Sequence, residues 1–279
     1  MTPSSRYLVC EGREIHYMEW GAGRPETVVA WHGLARTGRD MDDIAERLAA
    51  RYRVICPDTI GRGLSQWSPA PENEYCLAFY ARIAASLVDQ LGLEAFHWIG
   101  TSMGGAIGIH LAANALKGRI RRLVLNDIGP KLGAAAVERI RSYAGSPPEF
   151  DRVGELEAYF RTVYKPYGWL SDEQWRRLTE TSVRRTAAGR VTPHYDPKMV
   201  LQFTQHPDDY DQWPAWDAIE APTLCLRGET SDLLLPEVAE EMRRRGPRAL
   251  VVTIPGCGHA PALNVPAQYE VVERFLEGR

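Results

Sequence analysis

The residues most able to do chemistry lie in Gly100-Thr101-Ser102-Met103-Gly104-Gly105, a G-x-S-x-G pattern. An apolar run precedes it (Ala95–Ile99) and a small-residue helical stretch, Ala106–Leu116, follows it. A serine on a tight strand-to-helix turn sits in strained backbone, and glycines on either side let neighbouring chain approach closely. Its hydroxyl then projects above the carboxyl edge of a sheet, near the positive end of the next helix. Hydroxyl nucleophiles need a base, and the base needs an orienting carboxylate.

Seven histidines are available as that base. His259 stands in Pro255-Gly256-Cys257-Gly258-His259-Ala260, a loop between the last strand-like run and the last helical run, from which an imidazole can reach the serine. His194 and His206 lie beside prolines, and His97 and His110 lie within regular elements. These four read as surface or packed residues. His32 precedes Gly33 directly after a strand and suggests backbone organisation, and His16 belongs to an N-terminal strand. For the acid, Asp232 follows the strand ending at Arg227, and Asp127 follows the strand ending near Asn126. Either strand end can reach the same histidine. The reading favours Asp232.

The elements that must hold these groups are legible as a rhythm. Thr27–Trp31 and Tyr52–Cys56 read as buried strands, with Met41, Ile44, Ala45 and Leu48 at helical spacing between them. A helix from about Tyr75 to Leu91 carries Phe79, Ile83, Leu87 and Leu91 four apart, and Arg122–Asn126 is the next strand. Strand and helix in alternation imply a mostly parallel sheet with right-handed crossovers, hence a doubly wound α/β sandwich. From Lys131 to about Trp213 no strand-like run occurs. That segment carries 12 Lys+Arg and 12 Asp+Glu and reads as polar and helical. The rhythm resumes with strand Pro222–Arg227, helix Pro236–Arg245, strand Ala249–Ile254 and helix Pro266–Leu276. The expected organisation is a discontinuous core, 1–130 and 214–279, interrupted by a helical cap at 131–213.

Taken together, these motifs resemble the α/β-hydrolase superfamily, in its serine esterase-like branch with a helical cap inserted after the sixth strand. The likeness runs from about Tyr7 to Phe275. The chain order Ser102, Asp232, His259 matches the order of that family. His32-Gly33 is similar to its loop after the third strand, and Asp58-Thr59-Ile60-Gly61-Arg62-Gly63-Leu64-Ser65 is similar to its D-x-x-G-x-G-x-S segment. Asp232 stands four residues past Gly228, where many members have three. The resemblance implies an oxyanion hole from the backbone N–H groups of Leu34 and Met103, and an acyl-enzyme route that needs no cofactor and no metal. The implied activity is hydrolysis of small-molecule carboxylic esters.

Relatives with an aspartate nucleophile, the haloalkane dehalogenases and epoxide hydrolases, are disfavoured by Ser102. Carbon–carbon hydrolases of ring-cleavage products usually have Asn before the serine and Trp after the histidine; Thr101 and Ala260 stand there instead. Lactonase, perhydrolase and, outside catalysis, a ligand receptor on the same scaffold remain as alternatives. Within the cap, Tyr164, Tyr167, Trp169, Trp175 and Met199 read mainly as packing residues.

The 279 residues are enough for a full core without staples. A net charge of −3 gives no field that would gather nucleic acid or anionic lipid. Five scattered cysteines without C-x-x-C spacing suggest a reducing compartment. Neither a signal-like apolar N-terminus nor a run of about 20 apolar residues is present. The expectation is a cytoplasmic monomer or homodimer with no nucleic-acid or membrane partner.

Overall fold

The structure is a computed structural model and describes residues 2–279. Its strands, in chain order, are β1 (Ser4–Cys10), β2 (Arg13–Trp20), β3 (Glu26–Trp31), β4 (Tyr52–Pro57), β5 (Phe96–Thr101) and β6 (Ile120–Asn126). Then come β7 (Val183–Arg185), β8 (Val191–Pro193), β9 (Thr223–Gly228) and β10 (Leu250–Ile254). Eight of them form one sheet in the order β1-β2-β4-β3-β5-β6-β9-β10. β1 pairs antiparallel with β2, and β2 with β4; every pairing from β4 to β10 is parallel. This is the expected mostly parallel, doubly wound α/β-hydrolase fold.

Strand alternation divides the core. In β3, Val29 and Trp31 face one side of the sheet while Val28 and Ala30 face the other. The first side is covered by helices Leu77–Gln90, Met103–Ala113 and Pro236–Met242, and the second by Asp42–Leu48 and Pro266–Leu276. The four-residue spacing of Phe79, Ile83 and Leu87 is buried, as its period demands. Trp31 and Trp98 stack at 5.4 Å between adjacent strands.

The segment between β6 and β9 holds helices Ala134–Ala144, Val153–Val163 and Asp172–Glu180, followed by short helical turns. It also holds one feature that the strand reading missed. β7 and β8 form a two-stranded antiparallel hairpin. Three-residue strands in an Arg- and Thr-rich stretch carry too short a pattern to register as alternation. Leu156, Phe160, Tyr164, Trp175, Leu178 and Val191 form a small apolar cluster of their own within this segment.

All five cysteines are free and buried. Among the described residues no helix is long and apolar enough to cross a membrane.

Candidate active site

Ser102 sits at the turn between β5 and helix Met103–Ala113 with φ 51° and ψ −119°. That conformation is unfavourable for a side-chain-bearing residue and is held by packing on all sides. The flanking glycines are obligatory because of proximity. A Cβ on Gly100 would lie 2.3 Å from the Gly104 carbonyl oxygen, and one on Gly104 would lie 2.3 Å from the Trp31 carbonyl oxygen. The helix can therefore start hard against β3 and β5, and the Trp98 indole N–H donates to the Gly104 carbonyl at 2.9 Å.

His259 comes to the serine from the loop after β10. Its Nε2 lies 2.9 Å from Ser102 Oγ and its Nδ1 lies 2.7 Å from Asp127 Oδ2. A carboxylate only accepts, so Nδ1 carries the proton and Nε2 offers its lone pair to the serine hydroxyl. The loop is fixed independently: the Asn126 side-chain amide donates to the Pro261 carbonyl at 2.8 Å, and the Gly258 N–H donates to the Pro166 carbonyl at 2.7 Å.

The acid is where the structure corrects the sequence reading. Asp232 does not reach His259. It lies at the surface, its carboxylate gripped by Arg139 of helix Ala134–Ala144 through contacts of 2.8 and 3.0 Å, with about half of its side chain exposed. Asp127, fully buried after β6, takes the histidine instead. Its Oδ1 accepts the Gly228 N–H at 2.8 Å, and its Oδ2 also accepts the Ser231 hydroxyl at 2.6 Å. Ser231 stands three residues past Gly228, where many members of the family place the acid. That position therefore supports Asp127 rather than supplying a carboxylate itself. Asp127 adopts φ 56°, a left-handed backbone that turns its side chain back over the sheet edge.

Leu34 and Met103 line the same cleft as Ser102. Met103 opens a helix, so its N–H has no intrahelical acceptor. Both residues are braced by Arg62, a fully buried member of the D-x-x-G-x-G-x-S segment. Arg62 Nε donates to the Leu34 carbonyl at 2.9 Å, and Nη2 lies 3.6 Å from Met103 Sδ. Asp58 of the same segment staples backbone: it accepts the Gly38 N–H at 2.6 Å and the Leu64 N–H at 2.9 Å, and pairs with His16 at 2.7 Å. Sequence reasoning recognised the segment as a family mark but not these bracing roles, because they depend on contacts far along the chain.

His32 organises the loop that carries Leu34. Its Nε2 accepts the Thr59 N–H at 2.9 Å, so its Nδ1 carries the proton and donates to the Gly33 carbonyl at 2.6 Å. Burial strongly disfavours the imidazolium and holds its pKa down, from 6.5 to about 4. The unfolded chain thus binds the proton between these values and the folded chain does not, so stability falls as pH drops from 6.5 toward 4. The loss expected from this group is about 3 kcal/mol. Urea unfolding of the wild type and of His32→Asn at pH 7 and pH 4.5 measures it: the gap in stability between the two proteins should narrow at the lower pH.

Of the aromatics between β6 and β9, Tyr164 and Tyr167 line the cleft beside Ser102, together with Tyr143. Trp175 packs in the small apolar cluster with Leu156 and Phe160, Met199 is buried in the main core, and Trp169 is exposed.

The eight-stranded sheet, the strained serine at a strand-to-helix turn and the imidazole beyond the last strand define an α/β hydrolase. The sequence model of the α/β hydrolase fold matches residues 26–264, and the chain belongs to that family. It is 41% identical over 272 residues, 94% of this chain and 92% of the other, to a 3-hydroxybutyrate-oligomer hydrolase of Cupriavidus necator. A 2-hydroxymuconate semialdehyde hydrolase of Pseudomonas putida is 29% identical over 97% of this chain and 93% of its own. The crystal structure of an α/β hydrolase from Novosphingobium aromaticivorans superposes with a TM-score of 0.86 at 35% identity, covering 99% of this chain and 98% of that one. The protein is thus a hydrolase of this fold.

Proposed function

We propose that the protein is a serine esterase that cleaves carboxylic esters of small hydroxy acids through an acyl-enzyme. The observation that carries this reading is the unbroken line Ser102 Oγ, His259 Nε2, His259 Nδ1, Asp127 Oδ2, with gaps of 2.9 and 2.7 Å across the two hydrogen bonds. In the proposed reaction His259 Nε2 takes the Ser102 proton as Oγ bonds to the ester carbonyl carbon. The carbonyl electron pair moves onto oxygen, where the Leu34 and Met103 N–H groups receive it; one such donor is worth about 3 kcal/mol in comparable sites. Asp127 holds the tautomer and offsets the imidazolium charge. The tetrahedral species expels the alcohol, which takes the proton from Nε2. Water then gives a proton to His259 and attacks the acyl carbon, releasing the acid and restoring Ser102.

The choice of ester over carbon–carbon substrates is supported by the similarity to the 3-hydroxybutyrate-oligomer hydrolase, and by Thr101 and Ala260 beside the serine and histidine. The test is a panel of p-nitrophenyl esters of increasing acyl length, a 3-hydroxybutyrate dimer and a ring-cleavage product, each measured as kcat/KM. Turnover of the esters with the ring-cleavage product inert is the expected result. A preference for the ring-cleavage product would overturn the assignment.

A further inference from the structure

Beside Ser102 and His259 lies a compartment lined by Arg36, Arg139, Tyr143, Tyr164 and Tyr167, with no carboxylate among its described lining residues. Arg36, in the loop after β3, is 3% exposed. Its Nε donates to Asp40 Oδ2 at 2.6 Å, and its Nη2 donates to Asp40 Oδ1 at 2.7 Å and to Ser182 Oγ at 2.9 Å. These bonds use three of the five guanidinium N–H groups. The two on Nη1 are buried and have no partner among the described residues. The guanidinium carbon lies over two rings, 4.7 Å from the Tyr164 centroid and 5.3 Å from that of Phe160, so the guanidinium is held rather than free to swing away.

A buried cationic donor left unmade is costly and calls for an acceptor. Water could serve, but a cationic nitrogen with two N–H groups to give, on a residue that lines the same compartment as the nucleophile, suits a carboxylate oxygen, which takes charge-assisted bonds from arginine. Tyr143 and Tyr167 add compatible hydroxyls. Burial pushes both of their pKa values up, so they remain neutral donors that do not repel an anion.

We infer that this compartment is a carboxylate subsite in which Arg36 Nη1 receives the free acid end of the substrate, so that the preferred esters are those that carry a carboxylate. Oligomers of hydroxy acids have this chemistry: each chain ends in a free acid close to an ester bond. The inference rests on the esterase reading above and narrows its substrate class.

The experiment compares a 3-hydroxybutyrate dimer with its methyl ester, following cleavage of the internal ester bond by chromatography. The scissile bond is the same in both, and only the charge is masked. Wild-type kcat/KM should favour the free acid by about 10-fold or more, equivalent to about 1.4 kcal/mol. In Arg36→Met/Asp40→Asn, which removes the cation together with its counter-ion, the ratio should fall to within about threefold of unity. Should circular dichroism show that double variant unfolded, the ratio is read in Arg36→Lys, which keeps a charge but loses the two Nη1 donors; a reduced ratio is expected there as well. A wild-type ratio near unity, or a wild-type-like ratio in either folded variant, would overturn the inference. Failure of the wild type on both dimers and on p-nitrophenyl butyrate would instead remove the esterase reading beneath it. Turnover of p-nitrophenyl butyrate with no preference for the free acid removes the subsite alone.

Discussion

Replacing Ser102 by Ala is expected to lower kcat for p-nitrophenyl acetate by at least about 10⁴-fold while leaving the fold intact. The side chain is small, and its loss removes one hydroxyl from a cleft without opening a large cavity. The turn is held by the backbone around it: the Ser102 N–H donates to the Asn126 carbonyl at 3.0 Å, and the Ser102 carbonyl accepts the Gly105 N–H at 2.8 Å. Neither bond needs the hydroxyl. Circular dichroism and the urea midpoint should therefore stay close to wild type while turnover disappears. Some rate above that of water is expected to survive, because the proposed oxyanion donors and the binding cleft remain. Activity within tenfold of wild type would remove Ser102 as nucleophile.

The second large effect separates two aspartates that look alike in the sequence. Asp127→Asn should lower kcat by about 10³ to 10⁴-fold at neutral pH. An amide in place of the carboxylate can present its NH2 to Nδ1, which moves the imidazole proton to Nε2 and leaves no base facing Ser102. It also removes the negative charge that stabilises the imidazolium. Asp232→Asn breaks only the exposed pair with Arg139, and pairs of that kind contribute about 0–1 kcal/mol. Its kcat for p-nitrophenyl acetate should stay within about threefold of wild type. The two variants assayed side by side decide the matter: a collapse in Asp232→Asn with an active Asp127→Asn would reverse the assignment made from the geometry.

The difference between these two residues shows where sequence reasoning reaches its limit. Parallel strands β6 and β9 are hydrogen-bonded neighbours, so both deliver a loop to the same edge of the sheet, within range of one histidine. Strand periodicity places Asp127 and Asp232 equally well. What separates them is the direction of each side chain. A left-handed turn at Asp127 folds its carboxylate inward, where the Gly228 N–H and the Ser231 hydroxyl receive it. The residue after Ser231, Asp232, points outward to meet Arg139. Ser231, three positions past Gly228, donates its hydroxyl to Asp127 where a carboxylate would otherwise stand.

The α/β alternation was legible in the residues alone, as were a serine on a glycine-flanked strand-to-helix turn and His259 as its candidate partner. Those features depend on local patterns: apolar period, glycine spacing and chain order. Tertiary structure alone decided which aspartate meets the imidazole, that Arg62 braces Leu34 and Met103, and that two donors of the buried Arg36 find no partner among the described residues. Each of these joins residues distant in sequence, and each depends on side-chain direction and on whether a polar atom finds a partner. The net charge of −3 could not foretell a cation buried near the nucleophile, because Asp40 compensates Arg36 and the pair adds nothing to the sum. Composition averages over the chain, whereas the chemistry is set by which charges lose their water and what they face once they have lost it.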